Sequence, residues 1–154
     1  MNEFKTVRTK YYKVTPEYVK ETRRFFKDRV KKAFVKFLAY EGYFDDIFNK
    51  KELRDAKTGR LPDYLDIHHI LPLSGGGDNS FDNLVVIDKA AHKEMNRTYF
   101  QPQLSPHIKD PYGTVFEIDL PVFDTYVDKA NIIYNQKLRR MSMVANKRGQ
   151  NYFK

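Results

Sequence analysis

Apolar positions recur at three- and four-residue spacings through Val19, Phe26, Val30, Ala33, Phe34, Phe37 and Leu38, which is the period of a helix with one buried face. Thr15-Pro16-Glu17 supplies its start: a hydroxyl to cap, a proline at the first helical position and an acid in the first turn. The pattern therefore predicts a helix to about Tyr40. Lys20, Arg24, Lys27 and Lys31 follow the same period on another face. Residues 41–65 read as connection, with a short helix over 45–54 and a turn at Lys57-Thr58-Gly59. Further on, apolar runs of strand length predict strands over 65–71 and 84–87, separated by a Pro- and Gly-rich loop. Asp88 caps a helix carrying His92 and Asn96. Three prolines make 101–112 a loop, 114–118 a strand, and Asp124 the cap of a last helix to about Val144. Val127, Ala130, Tyr134, Leu138 and Met141 are that helix's expected buried stripe, and residues 146–154 an expected mobile, basic tail. The elements sum to an α+β fold: one mostly helical domain, 1–154, built around a central ββα unit at 66–99, with 1–65 and 100–154 packing around it.

Charge sharpens this. The chain of 154 residues has 28 Lys+Arg, 20 Asp+Glu and a net charge of +8. Residues 1–40 hold 12 bases and 4 acids, 41–136 hold 10 and 16, and 137–154 hold 6 and none. Two basic ends flank an acidic middle, a distribution suited to a polyanionic partner. With no cysteine, disulfides, thiolate zinc sites and a cysteine nucleophile are excluded, and any metal falls to His, Asp, Glu or Asn. The polar start is no signal peptide and no apolar run reaches bilayer length, so the sequence reads as a soluble protein with no membrane partner.

Three of the four histidines lie between Asp66 and Asn96. His68 and His69 occupy successive strand positions and point to opposite faces, so a regular strand gives one metal only one of them. His92 and Asn96 are one helical turn apart, the separation at which two side chains reach one ion. Asp66 shares a strand face with His68 and is a candidate acceptor for the proton of a liganding imidazole. Gly75-Gly76-Gly77 has no Gly-Lys-Ser/Thr after it and reads as turn chemistry rather than a nucleotide loop. His107, between prolines, reads as structural, and Tyr99-Phe100 as core.

The run His68-His69-Ile70-x-Pro72-Leu73-Ser74-x-Gly76-Gly77, followed by Asn83-Leu84 and His92, resembles the His-Asn-His (HNH) endonucleases, whose site is a ββα-metal finger. The resemblance implies that His68 and His92 coordinate one divalent cation, that His69 is the general base, and that Asn83 braces the loop and orients His69. Asn96 falls where bacteriocin-type (colicin-like) members place a further histidine ligand. The ion is then magnesium, manganese, zinc or nickel.

The reading that follows is a metal-dependent endonuclease acting on DNA, with RNA left open as a substrate. Lys20, Arg24, Lys27, Lys31 and Arg97 are its expected phosphate contacts. No recognition helix is legible, so low sequence specificity is expected. A second reading makes the chain the toxic nuclease domain of an interbacterial effector, neutralised by an immunity protein. A third makes it a catalytically inactive nucleic-acid-binding module. The expected location is cytoplasmic, or inside a target cell for an effector.

Overall fold

The computed structural model describes the backbone of residues 5–152 and the side chains of residues 5–144. Strand β1 (Thr6–Tyr12) leads into helix α1 (Pro16–Phe25), where Thr15 Oγ1 accepts from Tyr18 N at 3.4 Å. The helix then passes through a π turn (Phe26–Val30), closed by Lys31 N–H on the Phe26 carbonyl, into α2 (Lys31–Tyr40). The extra residue of that turn rotates the face that follows. Val35 and Ala39 consequently join Phe34 and Leu38 in the core, and Ala33, expected inside, is exposed. Helix α3 (Lys50–Lys57) starts later than the expected 45, because Asn49 and Glu52 form a reciprocal capping box.

The next strands, β2 (Leu65–His69) and β3 (Leu84–Asp88), pair antiparallel from Leu65↔Asp88 to His69↔Leu84. Helix α4 (Lys89–Met95) follows directly, its start capped by Asp88 Oδ1 on Ala90 N at 2.9 Å. A second π turn (Asn96–Phe100) follows, and α5 (Gln101–Leu104) and a 3-10 turn (Ser105–His107) occupy the first part of what was expected to be a loop over 101–112. Pro102 and Pro106 sit in the first turns of their helices, where no backbone donor is needed. Strand β4 (Val115–Pro121) then pairs antiparallel with β1, a partner the mostly polar, solvent-facing run of β1 gave no reason to expect.

The last helix, α6 (Lys129–Tyr152), corrects the sequence reading twice. It does not begin at Asp124, because residues 126–128 run along β3: Val86 N–H donates to Tyr126 O at 2.8 Å, and Asp128 N–H to Val86 O at 2.9 Å. Its packed side is also not the Ala130, Tyr134, Leu138 and Met141 stripe, of which Tyr134 is 61% and Met141 67% exposed. Ile132 is buried instead, Gln136 donates to Ile47 O and Tyr64 Oη, and Arg139 reaches Asp88. Polar anchors thus set the rotation of this helix. Its backbone is helical to Tyr152, so the expected tail continues the helix, and residues 153–154 lie outside the described ones.

Two apolar clusters result. One joins Phe34, Val35, Leu38, Phe44, Leu65, Leu84, Val86 and Ile132; the other joins Tyr11, Met95, Phe100, Ile118 and Leu120. The β2–β3 hairpin and α4 lie where the clusters meet. Among the described residues no helix is long and apolar enough to cross a membrane.

Asp88 ties the hairpin to both helices. Fully buried, it caps α4 with one oxygen and accepts from Arg139 Nη2 at 2.6 Å with the other. Arg139→Ala would leave a buried carboxylate without its cation, a change that costs about 3–5 kcal/mol for a fully buried pair. Because the Arg139 side chain is 41% exposed, the expected loss is smaller, about 2–3 kcal/mol, read from the urea midpoint of unfolding. A loss below about 0.5 kcal/mol would show that the pair does not hold α6 in place.

Candidate functional site

As the strand alternation requires, His68 and His69 diverge. His68 turns inward and is 3% exposed, with its ring near those of Phe100 (5.6 Å between centroids), Phe123 (6.1 Å) and His92 (5.1 Å). Its Nε2 is buried and has no hydrogen-bond partner among the described residues. Burial, and then the neighbouring His92 and His69, push its pKa down from 6.5 to about 3, so the ring is neutral and keeps a lone pair. His92 comes from α4, and its Nδ1 lies 3.2 Å from Asp66 Oδ2. With Nδ1 as donor, this contact leaves Nε2 as the free lone pair, the arrangement in which a carboxylate fixes the tautomer of a metal-binding histidine. Asp66 therefore orients His92, from the strand face it shares with His68.

Asn96 stands one turn beyond His92, exposed, at the start of the second π turn, with helical backbone and, among the described residues, no side-chain hydrogen bond. Among the described residues, no group of three or more His, Cys, Asp or Glu side chains is disposed to hold a metal. The His68 and His92 pair is thus at most the protein half of an open coordination shell, completed by oxygen ligands.

His69, on the other face, is half-buried beside the edge of Phe26, whose ring centroid is 4.8 Å away. Its Nε2 lies 2.9 Å from Asn79 Oδ1, and Asn79 Nδ2 donates to the Thr22 carbonyl at 2.9 Å. That second bond orients the amide so that its oxygen faces the imidazole, which makes Nε2 the donor and Nδ1 the unprotonated nitrogen. Burial lowers the pKa of His69, and the bond to Asn79 opposes the shift, so the neutral form holds at neutral pH.

Asn83 departs from its expected role in one respect. Its Oδ1 accepts from Leu71 N at 2.8 Å and its Nδ2 donates to Leu71 O and Asp78 O, bracing the loop as expected. It makes no hydrogen bond to His69, and orientation of that ring falls to Asn79. Only its place in the Gly-rich loop, four residues before Asn83, hinted at Asn79 in the sequence. The two π turns escaped sequence reading altogether, yet they carry Phe26 and Phe100, the rings that wall His69 and His68.

The loop between the strands is held from the N-terminal side. Tyr18 Oη donates to Gly77 O, Tyr11 Oη to Ser74 Oγ, and Val14 N–H to Ser74 O. Gly77 is required by close approach, since a Cβ there would overlap the Leu71 carbonyl. Lys20, Arg24, Lys27, Lys31 and Arg97 are all exposed and form no ion pair among the described residues. His107 stacks on Phe116 at 3.5 Å and meets Asp110 Oδ2 through Nδ1, so it serves the fold of its own loop.

Comparison with known proteins bears on the same segment. The HNH endonuclease family matches residues 45–98, which include α3, the hairpin and α4. The uncharacterized protein YhhZ of Escherichia coli (strain K12) is 31% identical over 127 residues, covering 82% of this chain. The chain spans 32% of that relative's length. No solved structure matches it. With the histidine pair on β2, the third histidine on α4 and the braced Gly-rich loop between them, residues 45–98 are a segment of the HNH endonuclease family.

Proposed function

We propose that the chain is a metal-dependent endonuclease that hydrolyses phosphodiester bonds in DNA with low sequence specificity, the β2–β3 hairpin and α4 forming its ββα-metal finger. The observation that carries this reading is the orphaned Nε2 of His68. A buried, neutral imidazole nitrogen without a donor costs about 1–3 kcal/mol and points to a ligand. His92, its ring centroid 5.1 Å away and oriented by Asp66, is the second nitrogen. The residues present fit a divalent cation held by His68 and His92, with Asn96 as a further oxygen donor. Such an ion, when bound, offsets the extra negative charge of the pentacoordinate phosphorane and of the leaving 3′ oxygen.

The rest of the chemistry belongs to the chain. His69 Nδ1 takes the proton of the attacking water as its oxygen bonds to phosphorus, and the bond to the 3′ oxygen breaks. Asn79 holds the imidazole with Nε2 protonated, so that Nδ1 is the base. Asn83 ties Leu71 to Asp78 across the loop that carries Asn79. Lys20, Arg24, Lys27, Lys31 and Arg97 bind the phosphates of the substrate, contacts that carry no sequence information.

Incubation of supercoiled plasmid with the purified chain and magnesium, manganese, zinc or nickel should give nicked and then linear DNA. A broad smear at longer times would mark low specificity, and EDTA should stop the reaction. Tight binding of the plasmid with no cleavage under any of the four ions would sink the enzymatic reading and favour a binding module.

A further inference from the structure

Beside the catalytic loop lies a small apolar cavity of about 380 Å³, lined among others by Tyr11, Val14, Pro16, Val19, Lys20 and Tyr112. Its size is within the range of pockets that take small ligands, about 300–1,000 Å³. Tyr112 is 58% exposed, so its ring is open to solvent at the cavity. Lys13, itself a lining residue of the cavity, fixes this corner. Lys13 Nζ donates to the carbonyls of His107, Ile108 and Asp110 at 2.8, 2.8 and 2.6 Å, and lies 5.7 Å from the centre of the Tyr112 ring. Gly113 N–H on Lys13 O, at 2.7 Å, fixes the same corner. With the Lys13 ammonium spent on this anchoring, the cavity offers apolar walls, an aromatic ring and two lysines in its lining, Lys13 and Lys20.

Position gives the cavity its meaning. Val19 and Lys20 line it, Tyr18 holds Gly77, Thr22 orients Asn79, and Phe26 borders His69, all on one continuous helix. From Val19 to Phe26 is about 10 Å at 1.5 Å per residue, the reach of about two or three nucleotides, which step by about 3.4 Å when stacked and by more when not. Between residues 17 and 30 this helix carries five bases and three acids, none of the five paired among the described residues.

We propose that the cavity takes one unpaired nucleobase of the strand being cut, stacked on Tyr112 two or three nucleotides from the phosphate at His69, which makes single-stranded DNA the preferred substrate. In a duplex the faces of the bases are covered by their neighbours, whereas a single strand can turn one base out onto an aromatic ring. Stacking on a tyrosine is indifferent to base identity, in keeping with low specificity. The proposal rests on the nuclease reading for what lies at His69, but its test does not need cleavage.

The affinity of the whole chain for a labelled 20-nucleotide single strand, and for the same sequence as a duplex, is measured in EDTA. Tyr112→Ala should weaken single-strand binding about tenfold and change duplex binding less than twofold, while Tyr112→Phe, which keeps the ring, should match the parent. Thermal melts of both variants check that the Lys13 corner survives, and Tyr112→Phe keeps the test decisive if Tyr112→Ala melts early. Equal loss on both substrates, no loss on either, or a Tyr112→Phe defect as large as that of Tyr112→Ala would overturn the proposal. Failure of the nuclease reading looks different: selective single-strand binding that follows Tyr112, with no cleavage under any metal.

Discussion

Replacing His69 with alanine should lower the rate of plasmid cleavage by about 10³-fold, within the 10²–10⁴ that a positioned general base contributes, and leave DNA affinity in EDTA unchanged. The imidazole is half-buried against Phe26, so truncation removes one edge contact and the bond to Asn79 and the fold should persist. Asn79→Leu is the informative companion. It removes the amide that fixes Nε2 as the donor but leaves the base in place, so the expected loss is smaller, about 10- to 100-fold, and falls on kcat rather than KM. Asn79→Asp keeps an acceptor for Nε2 but loses the donation to the Thr22 carbonyl, so it should recover only part of the rate. If His69→Ala retains a tenth or more of the parent's activity, the base is another group and the Asn79 relay only supports the loop.

That pairing also marks where the sequence was legible and where it was not. Alternation alone put His68 and His69 on opposite faces, and the Asp88 cap put His92 and Asn96 on one face of a helix, both from local periods and caps; that His92 meets His68 came only from the family resemblance. The partners of those side chains were harder to read. Asn79 and Asn83 are both amides in one polar loop, and which of them meets His69 depends on the Thr22 carbonyl, 57 residues earlier in the chain. In α6 the apolar spacing of Ala130, Tyr134, Leu138 and Met141 was regular enough to predict a buried stripe, yet the Asp88–Arg139 ion pair and Gln136 rotate it outward. Periodicity reports that a helix is amphipathic; it does not report which face long-range polar contacts will claim. The π turns leave no trace in a 3.6-residue pattern except a face that drifts, as Ala33 and Val35 do in α2.

The second large effect concerns His68, and its sign separates function from stability. In the metal-free protein Nε2 of this residue is buried, neutral and unpartnered among Phe100, Phe123 and His92, so the histidine destabilises the fold it belongs to. His68→Leu, an apolar side chain of similar volume but branched rather than flat, removes that orphan. Loss of the unsatisfied nitrogen, worth about 1–3 kcal/mol, opposes the cost of fitting a branched side chain where a flat ring sat, about 1 kcal/mol for a swap of similar volume, and the metal-free variant should unfold at or above the parent's urea midpoint. Added divalent ion should then divide the two proteins. A ligand at a hundred times its dissociation constant stabilises the folded state by about 2.7 kcal/mol, so the parent's midpoint should rise with manganese, nickel or zinc while that of His68→Leu stays still. Cleavage by the variant should fall by at least about 10²-fold. A residue that costs stability until an ion arrives is placed for the ion. If His68→Leu is instead destabilised by several kcal/mol without metal and both proteins respond equally to added ion, then His68 is a packing residue and the cation is held elsewhere.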